Sequence, residues 1–316
     1  ASRCASSIVL RTPDALSADL TPLLLKLEQE SVIKLASAPS TMWEHVNFGI
    51  SSAPGYTRPN FFGDVRMRQA FAYCLDRQMV VDAVLYGRSN VLNSYFPPAH
   101  PYYAAGLTEY PYDPKKGQAL LEEMGWVDAN ADGVREAKGI DGISDGTRLE
   151  FTWLNFTDAL RTQYTQIWQQ NLADCGFMVN VENVPVGQFF ANGPDGPLLG
   201  RRFDVTSFAS SVEPSCERYL SSAIPSANNG WSGDNVSGFA NADFDAACKR
   251  VLGALPGTAD YIAGHQEAQR IFAEQLPALP LFSHYTLAAI RLEVKDFVID
   301  ATEDSAMWNI EMFDTR

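Results

Sequence analysis

Between Leu149 and Phe208 the chain reads as strand, helix, strand, crossover and strand, and this order limits the fold more than any other stretch. Leu149–Leu154 is a short apolar run. Ala159–Asp174 has helical spacing, with Tyr164, Ile167, Trp168, Leu172 and Cys175 near one face. Phe177–Val184 alternates, with Phe177, Val179 and Val181 inward, and Phe203–Phe208 is a further strand. Strands joined by crossover helices are expected to lie mainly parallel, with helices on the faces of the sheet. The 316 residues suffice for two or three domains' worth of core, and no apolar run is long enough to span a bilayer.

Other elements surround this unit. ASSIVL (5–10) has strand character, Ser17–Glu30 helical character, and Ile33–Ala36 and His45–Ile50 read as two strands. A loop rich in Ser, Pro and Gly (51–63) precedes DVRMRQAFAYCLDRQMVVDAVLYG, Asp64–Gly87. That stretch has the length of one helix but carries two start signals, so two abutting helices are expected, capped by Asp64 and Asp76. A long aromatic loop (88–111) leads to YDPKKGQALLEEMGW, a helix with Asp113 as N-cap, Pro114 at its first position and Gly125 as its stop. Helices over 241–255 and 259–275, a buried strand in LPALPLFSHYTLAAI, and short strands with polar turns after Val294 complete the pattern.

The chemistry is sparse. A net charge of −14 disfavours nucleic acid and anionic lipid as partners, since both need basic patches. No nucleophile, phosphate-loop or metallohydrolase motif stands in the context its mechanism requires, so no enzyme is expected. Acidic pairs such as Glu122 and Glu123 read as a solvated helix face. The histidines (His45, His100, His265, His284) are scattered and read as surface or satisfied core residues. The five cysteines show no zinc spacing, and their odd number leaves at least one thiol free in a monomer. Cys216 and Cys248 are either bridged, in an oxidising compartment, or two separate buried thiols. DANADGVREAKGIDG begins like a calcium loop: Asp128, Asn130, Asp132 and Glu136 are candidate ligands, but Gly139 replaces the bidentate glutamate. The competing reading is a polar hairpin built on Asp-Gly turns. Beyond that possible structural calcium, no cofactor is expected. Trp231, among turn residues, is either a stacking platform for ligand or a cap on local core.

The order of these motifs resembles the C-terminal part of the extracellular solute-binding proteins of family 5, the oligopeptide-, dipeptide- and nickel-binding components of ABC importers. The likeness rests on DVRMRQAFAYCLDRQMVVDAVLYG, similar to that family's D-x-R-V-R-Q-A…A-x-D-R segment, and on YFPPAHPYY, YPYDPKKGQALLEEMGW, NVSGFANADFDAACKRV and AQRIFAEQLPALPLF. It implies an α/β, periplasmic-binding-protein-like fold of type II. Residues 59–283 would form a C-terminal lobe, and 1–58 with 284–316 remnants of the N-terminal lobe. It also implies an extracytoplasmic monomer, anchored at the membrane in its full-length form. Such a protein would bind a peptide or similar small polar solute by lobe closure, without catalysis, and deliver it to an ABC permease. No signal peptide precedes the first strand, so a processed or truncated form is expected. In such proteins the strand equivalent to Phe203–Phe208 leads into a loop facing the cleft. That loop usually presents a tryptophan and often an aspartate before an acidic residue and proline. Here Glu213-Pro214 fits the pair, Ser210 stands at the tryptophan position, and the aspartate has no counterpart. The ligand-contacting candidates are therefore Phe208, Ser210, Ser211 and Glu213, with Trp231. Two serines in place of a charge suit a neutral or hydroxyl-rich ligand, an oligosaccharide included; a plain surface loop is the competing reading. A secreted carbohydrate-active enzyme would instead need two carboxylates facing a cleft.

Overall fold

The computed structural model describes residues 10–12, 14–211, 216–300 and 308–312. Its centre is a six-stranded sheet formed by β1 (Leu10–Thr12), β2 (Ile33–Phe48), β5 (Glu150–Phe156), β6 (Met178–Val184), β7 (Val205–Ser211) and β8 (Ala278–Arg291), in the order β1-β8-β2-β7-β5-β6. A separate hairpin pairs β3 (Trp126–Val127) with β4 (Glu136–Ala137). The expectation of a mainly parallel sheet holds only for β6-β5-β7, the crossover unit read from the sequence. The β1–β8, β8–β2 and β2–β7 pairs are antiparallel, because β2, which precedes the crossover unit, is inserted between β7 and β8 and runs against both.

The two strands expected over 33–36 and 45–50 are one, β2, interrupted in register. Pro39 faces Tyr285 and Trp43 faces Ser283, so β2 carries extra residues there; Glu44 faces Phe282 but His45 faces Pro280, so β8 carries the next extra residue. The pairing of β2 with β8 is continuous apart from these shifts, and its irregularity lies at residues 40–45 of β2 and 281–284 of β8. α1 (Asp14–Gln29) precedes β2, and a single short turn of helix, α6 (Val186–Phe189), follows β6.

The Asp64–Gly87 stretch is two helices, as its start signals indicate: α2 (Val65–Tyr73) and α3 (Arg77–Ala83). Asp64 accepts from the Arg66 amide at 2.8 Å and Asp76 from the Met79 amide at 2.8 Å. α4 (Pro114–Met124) starts on Asp113 and ends at Gly125, whose φ of 98° suits glycine. With α5 (Ala159–Asp174) these helices cover one face of the sheet. The aromatic core there includes Phe48, Phe62, Phe71, Phe151, Trp153 and Phe177. Gly117, unusual inside a helix, lets α4 approach α2 closely: a Cβ there would collide with Cys74 Sγ and the Ala70 carbonyl. The opposite face packs Trp43, Tyr95, Tyr219, Phe244 and Phe272 against α7 (Ala242–Gly253) and α8 (Ala259–Gln275).

Each layer carries a disulfide among the described residues, Cys74–Cys175 in the first and Cys216–Cys248 in the second. The second realises one of the two readings left open by the sequence; the first, between the C-caps of α2 and α5, has no local signal in the sequence. Sequence separations of 101 and 32 residues make the bridges worth about 4.7 and about 3.7 kcal/mol in the chain-entropy picture. Cys4 lies outside the described residues.

Two arginines of the α2–α3 stretch are buried and bind backbone carbonyls. Arg68 donates to the carbonyls of Phe62 (2.6 Å), Gly63 (3.1 Å) and Gln275 (2.6 Å), the last closing the end of α8. Arg77 donates to Leu92 (2.8 Å), Pro280 (2.7 Å) and Tyr110 (2.9 Å). Burial lowers both guanidinium groups to about 10, still far above neutrality. Arg77 thereby stitches α3 to β8, and Arg68 stitches α2 to the end of α8. We expect Arg77→Ala and Arg68→Ala each to lower stability in urea unfolding by about 3 kcal/mol, because buried carbonyls lose their donors. Arg66→Ala, at an exposed pair with Asp64 and Glu123, should cost under about 1 kcal/mol.

Candidate functional site: a depression at the ends of the parallel strands

β5 and β7 run parallel and end at Phe156 and Ser211, and ligands of open α/β sheets gather beyond such carboxyl ends. Two adjoining depressions open there, of about 260 and 380 Å³, and share Met42, Phe190, Phe208 and Ala209. The first is mainly apolar, walled by Phe156, Leu160, Phe190 and Phe208, with Arg161, Asp158 and His284 at one side. The second is more polar and includes His45, Ser210, Ser211, Arg218 and Asp234.

Side chains on β2 alternate between faces, so Glu44 and His45 enter two different networks. Glu44 is wholly buried on the α5 side. Its Oε2 accepts from Arg161 Nη2 at 2.7 Å and lies 2.9 Å from His284 Nε2; its Oε1 accepts from Tyr164 at 2.9 Å. Tyr164 continues to Ser207 Oγ (2.8 Å), which donates to Asn155 Oδ1 (2.7 Å). Burial alone would push the Glu44 carboxyl up, but the Arg161 and His284 charges and hydrogen bonds hold it at about 2.

His45, on the other face, is buried between Asn47 and Ser210. Asn47 Nδ2 donates to its Nδ1 at 2.9 Å, so Nε2–H donates to Ser210 Oγ at 2.9 Å. Burial lowers this imidazole to about 3; the Arg218 and Arg161 charges act in the same direction, against Glu44. Ser210 Oγ also accepts from Arg218 Nη1 at 3.1 Å. Arg218 sits on a single 3-10 turn, Cys216–Tyr219, which the Cys216–Cys248 disulfide fastens to α7.

The structure brings Phe208, Ser210 and Ser211 together on the wall of this site. All three lie on β7 rather than in a loop beyond a strand ending at 208, because pairing with β2 continues through Trp43↔Ser210 and Met42↔Ser211. Glu213 lies outside the described residues. Trp231 lines neither depression. Its indole backs onto Gly193, where any Cβ would clash with it, and so braces the turn that presents Phe190, Leu198 and Leu199. The sequence does not single out His45, Arg218, Phe190 or Arg161 as site residues. The usable signals are a charged and a ring residue (Glu44, His45) within the apolar C-terminal end of β2, and an aromatic, Phe190, directly after α6.

The Asp128–Glu136 loop is the connection of the β3–β4 hairpin. Asp128 accepts from the amides of Asp132 and Gly133, Asp132 from that of Val134, and Glu136 from that of Ala129. Arg148 pairs with Asp132 at 2.6 Å, and Asn130 Nδ2 donates to Glu136 at 3.1 Å. Among the described residues no group of three or more His, Cys, Asp or Glu side chains is arranged to hold a metal ion.

The sequence profile of the bacterial extracellular solute-binding proteins, family 5 (middle region), matches residues 13–234. The chain belongs to that family. It is similar to the nickel-binding periplasmic protein of Escherichia coli (strain K12), 29% identical over 156 residues that make up 47% of this chain and 29% of that protein. It is also similar to heme-binding protein A of Haemophilus influenzae, 23% identical over 87% of this chain and 45% of that one. Among solved structures, NikA from Brucella suis with Fe(III)-EDTA superposes with a TM-score of 0.76 at 19% identity, covering 98% of this chain and 57% of that one. The oligopeptide-binding protein from Thermus thermophilus with a pentapeptide gives 0.73 at 24%, covering 86% and 46%. Those likenesses show the periplasmic-binding-protein fold. The chain spans less than half the length of the curated relatives it matches.

The two buried networks give the site a pH dependence of stability with a definite sign. An imidazole held at about 3 against 6.5 unfolded contributes fully above pH 6.5 and loses its contribution as pH falls from there, by up to about 1.4 kcal/mol per pH unit. A carboxyl held at about 2 against 4.5 contributes fully above 4.5 and loses it between 4.5 and 2. Urea unfolding across pH should therefore show His45→Gln flattening the slope just below pH 6.5. Glu44→Gln should flatten only the part below 4.5, while lowering stability at neutral pH by about 3 kcal/mol as Arg161 loses its buried counter-charge.

Proposed function

We propose that this chain is one lobe of an extracytoplasmic solute-binding protein that captures a peptide or similar small polar solute for an ABC importer. Binding would occur by closure of two lobes, without covalent chemistry. The observation that supports this most is the place of the depression. It lies at the carboxyl ends of β5 and β7, beside the register shifts where β2 and β8 continue toward α1 and β1. A second lobe reached through those two strands would close over Phe190, Phe208, Ser210 and Ser211. The two disulfides suit an oxidising, extracytoplasmic compartment. The lobe boundaries at 58 and 284, monomeric state and membrane anchoring belong to this reading as well.

An oligosaccharide is the alternative solute. The half-exposed faces of Phe190 and Phe208 favour it, and a neighbour of this fold, MelB from Agrobacterium fabrum, was solved with stachyose. A carbohydrate-cleaving enzyme is less well served. The depressions carry one carboxylate each, and Asp158 is engaged in capping α5 and pairing with Arg161.

Native mass spectrometry of the full-length protein should find a co-purifying small solute, a peptide under the first reading and an oligosaccharide under the second. No bound solute, and no thermal shift with peptide or sugar libraries, would overturn both. The Asp128–Glu136 loop is proposed to hold itself by its own hydrogen bonds, so millimolar calcium should leave the melting temperature unchanged. A rise abolished by Asp128→Ala would establish the calcium site instead.

A further inference from the structure

Resting on the solute-binding reading, the structure assigns the ligand a chemistry: a carboxylate taken by Arg218 and Ser210, set beside an apolar group held among Phe156, Phe190 and Phe208.

The carboxylate half of the argument is a count of donors. Ser210, only 6% exposed, faces the second depression and receives two hydrogen bonds on its oxygen, from His45 Nε2–H and Arg218 Nη1. Its own O–H therefore has no acceptor within this network and is left to point to the ligand. His45 cannot turn to relieve it, because Asn47 fixes the other ring nitrogen. Arg218 spends one N–H on Ser210 and forms no ion pair among the described residues, so the rest of its fork faces the depression. Donors from both residues converge, and no acceptor does from either. A carboxylate matches this: one oxygen on the guanidinium fork, with the Ser210 hydroxyl as a second donor. Asp234 lines the same depression but is exposed and not ion-paired with Arg218.

The apolar half follows from the adjoining depression. Phe156 and Phe190 lie 5.7 Å apart, and Phe190 and Phe208 6.1 Å, with ring planes turned toward one another. The cation nearest this box, Arg161, is spoken for by Glu44, Asp158 and the Phe156 face, so it offers the ligand no free charge. Phe208 borders both depressions, which places the carboxylate and the apolar group within a few bonds of each other. This differs from the neutral, hydroxyl-rich ligand that the two serines suggest when read in sequence alone. Ser210 is a donor here because an arginine and a histidine have filled its acceptor side.

The test uses three probes of one shape, phenylbutyrate, phenylbutanol and phenylbutylamine, titrated into the 316-residue chain by ligand-observed NMR. Phenylbutyrate should bind about tenfold tighter than the alcohol, and the amine weakest, a tenfold ratio being about 1.4 kcal/mol. Arg218→Gln should abolish the preference for phenylbutyrate over phenylbutanol, whereas Phe190→Ala should weaken all three alike. Circular dichroism checks that both variants fold. Equal or tighter binding of the amine, a preference that survives Arg218→Gln, or no binding of phenylbutyrate would overturn the assignment. The reading beneath it fails separately, if the full-length protein carries and binds no solute of any class.

Discussion

The antiparallel pairing of β2 with β8 joins residues near the start of the chain to residues near its end, and the rest of the sheet is hung from it. β1 is added to the outer edge of β8, and β2 takes β7 and with it the whole parallel unit. Such pairing closes a very long loop, so its entropy cost must be met by dense local gains. Arg77 supplies one, binding the Pro280 carbonyl of β8 from α3, and Arg68 another at the end of α8. The motif that reads as a helix restart is therefore a fastening: two short helices turn two guanidinium groups inward, where a single straight helix would present a different face.

The same pairing makes the site. Extra residues in β2 between Pro39 and Trp43, then in β8 between Phe282 and Pro280, bracket Glu44. Bulges re-aim side chains, and here they bring His284 onto the Glu44 carboxylate and place Met42 on the wall of both depressions. A wholly buried carboxylate within a sheet would be prohibitive alone. With Arg161, His284 and Tyr164 around it, it binds β2, β8 and α5 at one point beside the depression. One residue further along, His45 performs the corresponding task on the opposite face, for β7 and the Cys216–Tyr219 turn.

What the sequence disclosed follows the range of the forces involved. Asp64, Asp76, Asp113 and Gly125 were legible because a cap acts within four residues, and β5, α5 and β6 because their periodicity is local. Phe208, Ser210 and Ser211, singled out because a known family's motif order marks that strand, lie together on the wall of the depression. The Cys74–Cys175 bridge, the continuity of β2 and the antiparallel part of the sheet were not legible, since each depends on partners a hundred or more residues away. Arg218 was passed over for a similar reason. In sequence it is one of many surface-like arginines, and only the fold sets it over Ser210, with no carboxylate paired to it among the described residues.

Preorganised groups favour binding, and the wall of this depression is fixed from three independent directions. β7 is held by its ladder to β2, the Phe190 turn by the indole of Trp231 against Gly193, and the Arg218 turn by the disulfide to α7. The ladder residues themselves line the depression, but neither Trp231 nor the Cys216–Cys248 bridge does, so changes at either would act by loosening a wall. That separates two meanings of a site residue that sequence reading merges. Trp231 stands in the right neighbourhood and has the right chemistry for stacking on ligand, yet its ring is spent on the backbone behind Phe190. Arg218 has no sequence context to recommend it, and its donors face the space that a ligand would fill.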